Sequence, residues 1–294
     1  MADYHVEAEI DSQPSCWREA VSRLPGVREA LPRDGESVAV FGCGTSLYMA
    51  RAYAGLRESR GLGVTDAFAA SELPFGRHYD RHVAISRSGT TTEVLQAIER
   101  LSGDTGIAEI TAITAIPGAR FAPGTRAVVL EFADERSVVQ TRFATSALAL
   151  LRASLGETVP HEDAERALAE PLSPEWLEAE QVTFLGHGWT NGLADEAALK
   201  AREAARLWTE SYPAMEYRHG PISIAQPGRM TWVFGPAPAG LEEDVAATGA
   251  TYVTSDLDPM AHLIVAQRLA VAHARAKGMD PDRPRSLTRS VVLP

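Results

Sequence analysis

The stretch Ser86-Arg87-Ser88-Gly89-Thr90-Thr91-Thr92-Glu93 gathers five hydroxyl side chains around one glycine, directly after the apolar run His82-Val83-Ala84-Ile85. Hydroxyl and backbone N–H donors at a strand end bind a phosphate dianion without fixed cations, with Ser86, Ser88 and Thr91 as the candidate side chains. The bland alternative is that Thr91 only caps the next helix, with Glu93 in its first turn, and spacing alone leaves both readings open. A second group, Glu196, Lys200 and Glu203, stands at i, i+4 and i+7 and so shares one helix face. One carboxylate there can take a proton from carbon and return it to the neighbouring carbon through an enediol, while the ammonium polarises the developing oxyanion. The competing reading is a solvated face whose Glu196–Lys200 pair is worth roughly 0.2–0.5 kcal/mol. His219-Gly220-Pro221 reads by itself as a turn with a partly exposed histidine. The other histidines have no spacing with cysteines or carboxylates that would form a metal site, so no catalytic metal is expected.

Short β-branched runs alternate with longer amphipathic segments, and these elements must position the groups. Ser37–Gly42, Val64–Ala69, His82–Ser86, Glu109–Ala115 and Ala127–Glu131 read as strands, which predicts an α/β fold with a parallel sheet. Ser137–Leu155 has the spacing of a closing helix, and Pro160 with Glu162-Asp163 reads as a linker, so a boundary falls near residues 160–175. The pattern then restarts with strands at Val182–Gly186, Met230–Phe234 and Thr251–Val253, a helix over 191–208 and a long helix over 259–277. The restart is also an echo: Val40-Phe41-Gly42-Cys43-Gly44-Thr45-Ser46 and Phe184-Leu185-Gly186-His187-Gly188-Trp189-Thr190-Asn191 both run apolar, apolar, Gly, x, Gly, polar. Each half thus ends its first strand in glycines that open a helix, an arrangement suited to anions. A dinucleotide site is disfavoured despite Asp66 at a suitable distance, because Leu47 fills the third glycine position. No Walker lysine follows either turn.

Composition bounds the rest. The chain has 294 residues, 45% of them hydrophobic, enough for one large core or two smaller ones. A net charge of -11 argues against nucleic acid or an anionic membrane as partner. No apolar run reaches the roughly 20 residues that span a bilayer, and the first residues lack the order of a signal peptide, so a cytoplasmic setting is expected. Cys16 and Cys43 are the only cysteines, too few for a disulfide framework. Lysine chemistry is confined to Lys200 and Lys277.

Gly42-Cys43-Gly44-Thr45-Ser46, Ser71-Glu72, Ser86 to Thr91, Glu196 to Glu203 and Arg218-His219-Gly220-Pro221, taken in order, resemble the sugar isomerase (SIS) domain pair. Glu9 to Pro14 and Arg283 to Val291 resemble the ends of the same family, so the likeness covers nearly the whole chain. It is similar above all to the isomerase half of glutamine–fructose-6-phosphate aminotransferase and to tagatose-6-phosphate ketose/aldose isomerases and amino-sugar-phosphate deaminases. The resemblance implies two αβα subdomains with mostly five-stranded parallel sheets, expected at 1–165, with an N-terminal helical arm, and 166–294. The stretch from Phe234 to Asp258 is too short for a full second sheet. It also implies a phosphosugar ligand, no cofactor, and a homodimer with shared active sites.

Carried over residue by residue, Ser46, Ser86, Ser88 and Thr91, with the Arg87 backbone, would hold the phosphate, and Gly44, Thr45, Glu196 and Arg289 would line the site. Glu203 would move the proton between C1 and C2 beside Lys200, and His219 of a neighbouring subunit would help open the sugar ring. Two departures bear on the reaction. Arg289 stands where the aminotransferases have an imine-forming lysine, and Arg142 replaces another lysine; arginine stays protonated and is a poor imine former. No glutaminase segment precedes the first motif, so release of ammonia from glutamine is not expected. The expectation is an aldose–ketose isomerase acting on a hexose or amino-hexose 6-phosphate, with an amino-sugar-phosphate deaminase or deglycase and a non-catalytic phosphosugar-binding regulator as alternatives.

Overall fold

The structure, a computed structural model, describes residues 4–103 and 109–293. In chain order its first elements are α1 (His5–Asp11), α2 (Gln13–Val27), β1 (Val38–Gly42), α3 (Thr45–Ser59), β2 (Thr65–Ala69) and β3 (Arg81–Ile85). Next come α4 (Thr92–Ser102), β4 (Glu109–Thr114), β5 (Thr125–Val129), α5 (Arg142–Ser154), α6 (His161–Ala169) and α7 (Pro174–Leu177). The last are β6 (Gln181–Gly186), α8 (Asn191–Ala205), β7 (Trp208–Pro213), β8 (Arg229–Val233), α9 (Leu241–Thr248), β9 (Thr251–Val253) and α10 (Pro259–Ala276).

These elements divide into two compact units that interleave in sequence. One holds residues 15–135, 142–159 and 288 onward; the other holds residues up to 14, 136–141 and 160–287. The first carries a five-stranded parallel sheet in the order β2-β1-β3-β4-β5, and the second a four-stranded parallel sheet in the order β7-β6-β8-β9. Helices flank both, so the α/β architecture and the short second sheet are as the sequence implied. All five residues of β1 and of β3 are buried, and so are all six of β6, as expected of parallel strands covered on both faces.

Register places the loops that matter. Phe41 pairs with Ala84, so the turn after β1 and the loop after β3 leave the sheet side by side. In the other sheet Leu185 pairs with Val233, which sets the turn after β6 beside Phe234.

Three elements differ from the sequence reading. The segment read as a linker is α6, with Glu162 and Asp163 in its first turn, where carboxylates favour the helix dipole, and it packs on α10. The closing helix α5 starts at Arg142 rather than Ser137, because 136–141 belongs to the other unit, where Glu9 of α1 accepts the Arg136 and Ser137 N–H groups at 2.6 and 3.3 Å. Helix α8 stops at Ala205: Arg206 takes a left-handed conformation, φ 49°, and the chain turns into β7, which the sequence reading missed. As an edge strand, β7 is polar and ends in proline, so it lacks the buried-strand pattern.

Among the described residues no helix is long and apolar enough to cross a membrane.

Candidate active site

In the first unit, Gly42 lies so close to its surroundings that a Cβ would stand 2.7 Å from Ser46 Cβ and 2.9 Å from the Ile85 carbonyl. Only glycine allows the first turn of α3 to approach the end of β3, and Thr45 and Ser46 are buried there. The adjoining loop is shaped by its backbone: Ser86 N–H bonds Ile113 O at 3.0 Å, Gly89 N–H bonds Ser86 O at 3.2 Å, and Arg87 O accepts from Ala115 N–H and Thr114 Oγ1. The Ser86 hydroxyl is buried and has no hydrogen-bond partner among the described residues. A buried orphan hydroxyl costs about 1–3 kcal/mol, the kind of debt that a bound oxyanion removes.

Thr91 occupies the N-cap position of α4, yet its hydroxyl makes no cap bond. It lies 3.4 Å from Ser290 Oγ, which also accepts from Ser88 Oγ at 3.1 Å and from Thr90 Oγ1 at 3.0 Å. Simple capping therefore does not account for this hydroxyl.

The Arg87 side chain forms a buried pair with Glu135, at 3.4 Å. Glu135 also accepts the Arg142 N–H at 2.8 Å, and Arg289 donates to Glu135 O and to the Asp134 carboxylate. Both Arg142 and Arg289 thus grip the Asp134-Glu135 dipeptide, since Arg142 donates its guanidinium to Asp134 O. Cys43, in the glycine turn, is half-buried, and burial first, then the charge of Glu93, raises its thiol pKa. Asp66 accepts from Tyr79 Oη at 2.7 Å and pairs with Arg77, a surface role on β2.

In the second unit, α8 carries Glu196, Lys200 and Glu203 on one face as their spacing implies. The face is not solvated. Side-chain exposure is 1% for Glu196, 2% for Lys200 and 18% for Glu203, and Lys200 Nζ donates to Glu203 while lying 3.6 Å from Glu196. Of the three, Glu203 alone reaches the surface. Lys277 caps α8 through Ala205 O at 3.2 Å, with burial and then Arg206 lowering its pKa. His219 ends the helical turn Glu216–His219, exposed and followed by Gly220 at φ 138°; Tyr217 anchors the turn by a 3.0 Å bond to Thr231. A cavity of about 550 Å³ between α1 and α10, lined by Tyr4, Glu7, Arg268 and Arg275, contains none of the candidate catalytic or phosphate-binding residues.

The chain superposes with a TM-score of 0.79 on glucosamine-6-phosphate deaminase from Thermotoga maritima, at 23% identity, covering 97% of this chain and 99% of that one. It superposes equally, at 0.79 and 19% identity, on tagatose-6-phosphate ketose/aldose isomerase from Escherichia coli, covering 97% and 95%. The chain carries the sugar isomerase (SIS) fold.

In sequence it is 28% identical to glutamine–fructose-6-phosphate aminotransferase (isomerizing) of Xanthomonas campestris, over 98% of this chain and 56% of that protein. It is also 28% identical to the enzyme of the same description from Sulfurisphaera tokodaii, over 97% and 56%. The SIS chain thus spans a little over half the length of the curated relatives it matches. No family model matches it.

Residues that sequence reasoning missed are Thr90, Asp134, Glu135 and Ser290. Ser290 lies 202 positions from Ser88, and no local pattern signals that pairing.

Proposed function

We propose that this chain is a phosphosugar isomerase acting on a hexose or amino-hexose 6-phosphate. The observation that carries the reading is the buried Lys200 ammonium held against Glu203, the one partly exposed carboxylate of its face. Glu203 takes the proton from one of C1 and C2 and returns it to the other. The Lys200 ammonium lowers the energy of the enediol oxyanion, and the hydroxyls of Ser46, Ser86, Ser88 and Thr91 hold the phosphate. The names of the similar proteins support the substrate class, as they include a glucosamine-6-phosphate deaminase and a tagatose-6-phosphate isomerase. Arg289 favours isomerisation or deamination over amination, because its guanidinium is engaged with Asp134 and Glu135 and forms no imine. Incubation in deuterated water with fructose, tagatose and glucosamine 6-phosphates tests the reading. Deuterium entering C1 of a ketose phosphate, or C2 of the aldose formed from it or of the amino sugar, supports it, with ammonia release separating deaminase from isomerase. A chain that binds these sugars without exchange is a regulator instead.

The exposure of His219 fits its serving a neighbouring subunit of a cytoplasmic homodimer. Glu203→Gln and His219→Asn chains, each inactive alone, should on subunit exchange recover about a quarter of native activity, because half of randomly paired dimers are mixed and each holds one intact site. No recovery after confirmed exchange rules out the shared site.

A further inference from the structure

We infer that Ser290, carried by the C-terminal segment 288–293, is a further phosphate-binding residue of the hydroxyl loop, and that Arg289 is the residue that positions it. The inference rests on the reading that this loop binds phosphate. Ser290 Oγ accepts from Ser88 and Thr90 at 3.1 and 3.0 Å and lies 3.4 Å from Thr91 Oγ1. Its backbone is tied to the same loop on both sides. Arg87 Nη2 donates to Arg289 O at 3.1 Å, Thr92 N–H to Val291 O at 3.1 Å, and Leu293 N–H to Thr92 Oγ1 at 2.9 Å. Val291, Val292 and Leu293 remain between 50% and 68% exposed, so polar bonds to the loop, not apolar burial, seat the segment.

Ser290 could either occupy the anion's position or enlarge the set of donors around it. The orphan hydroxyl decides. Ser86 is 95% withdrawn from solvent and its Oγ has no acceptor among the described residues, whereas Ser88 and Thr90 already have one in Ser290. The unmet donor thus lies at the end of β3 and Ser290 at the rim. A hydroxyl donates a single hydrogen. Ser290 only accepts from Ser88 and Thr90, so when those two turn their hydrogens to an arriving phosphate, Ser290 can turn its own to the same anion, adding a neutral donor.

Arg289 fixes this placement because its planar guanidinium bonds Glu135 O and the Asp134 carboxylate together, which a single ammonium does less well. Arg87, within the loop, holds the Glu135 carboxylate, so the segment and the loop are referenced to one dipeptide.

Calorimetric titration of the full chain with inorganic phosphate tests the assignment. Ser290→Ala should weaken phosphate binding about tenfold, as Ser88→Ala should, since each removes a hydrogen bond to a charged group. Arg289→Ala should weaken it by a similar factor, and the double variant should be no weaker than either single one, because both changes remove the same donor. Unchanged or tighter binding in Ser290→Ala, with Ser88→Ala impaired, overturns the assignment and leaves the loop reading standing. Additive losses in the double variant overturn the positioning role of Arg289. Failure of the unaltered chain to bind phosphate overturns both the assignment and the reading beneath it.

Discussion

The turn after β1, Gly42-Cys43-Gly44, and the turn after β6, Gly186-His187-Gly188, begin alike: at the first glycine of each, a Cβ would meet main-chain or helix atoms at 2.4–2.9 Å. They then diverge. In the first, α3 starts at Thr45, immediately after the second glycine, and the neighbouring strand β3 delivers a loop of hydroxyls, one of which has no partner among the described residues. In the second, a helical turn over Gly188–Thr190 intervenes, and Thr190 Oγ1 accepts from His187 N–H at 2.8 Å and donates to Phe234 O at 2.9 Å. That hydroxyl is satisfied within the chain, and the neighbouring strand β8 runs into Phe234-Gly235-Pro236, which brings no hydroxyls. A repeated glycine pattern therefore fixes a backbone path. The residues at the end of the adjacent strand decide whether that path makes an anion site or a self-contained corner. The second unit places its chemistry on α8 instead.

If the chemistry is divided in this way, substitutions in the two units should fail differently. The largest effect belongs to α8. Glu203→Gln should lower kcat by about 10²–10⁴ while leaving phosphate binding intact, because only the proton transfer is removed. A variant that still exchanged the C2 proton at the native rate would return α8 to a structural role. Next, Ser88→Ala or Thr91→Val should raise KM for the phosphorylated sugar by roughly tenfold or more with little change in kcat. Thr190→Val, the counterpart in the second turn, should leave KM alone and cost about 1–3 kcal/mol of stability through its broken buried hydrogen bonds. A KM effect at Thr190 equal to that at Ser88 would erase the distinction between the turns.

A last effect sharpens the comparison through pH. Each unit buries a histidine whose pKa burial pushes down: His262 to about 3, stacked on Trp232 at 4.7 Å, and His82 to about 4, edge-on to Tyr79. In the unfolded chain each titrates near about 6.5. Protons therefore bind the unfolded state first, so the stability associated with neutral burial is complete above that value and declines as pH falls toward 4 and 3. Each histidine should contribute a loss of about 1.4 kcal/mol per pH unit within its window. His262→Phe and His82→Gln should each flatten the fall of Tm between pH 6 and pH 4. Parallel Tm–pH curves for native and variant chains would show that these rings do not set the acid sensitivity.

The sequence by itself determined the parallel α/β architecture, because strands buried on both faces read as unbroken apolar runs whether or not their neighbours are known. It also determined that Glu196, Lys200 and Glu203 share a face, since helical spacing is local. What it left open was whether that face is wet, and only packing answered: the alanine-rich surface of α8 lies against α10, and Lys200 is sealed from solvent. The polar edge strand β7 was illegible because an edge strand need not bury both faces. Helix α6 was read as a linker because its short, acidic start resembles a solvated segment until α10 covers its alanines. The grip of Arg87, Arg142 and Arg289 on Asp134-Glu135, and the seat of Ser290 on Ser88, join residues from 7 to 202 positions apart. Side-chain bonds of that kind leave no periodicity in the chain and follow from the directions in which folded elements bring their ends together.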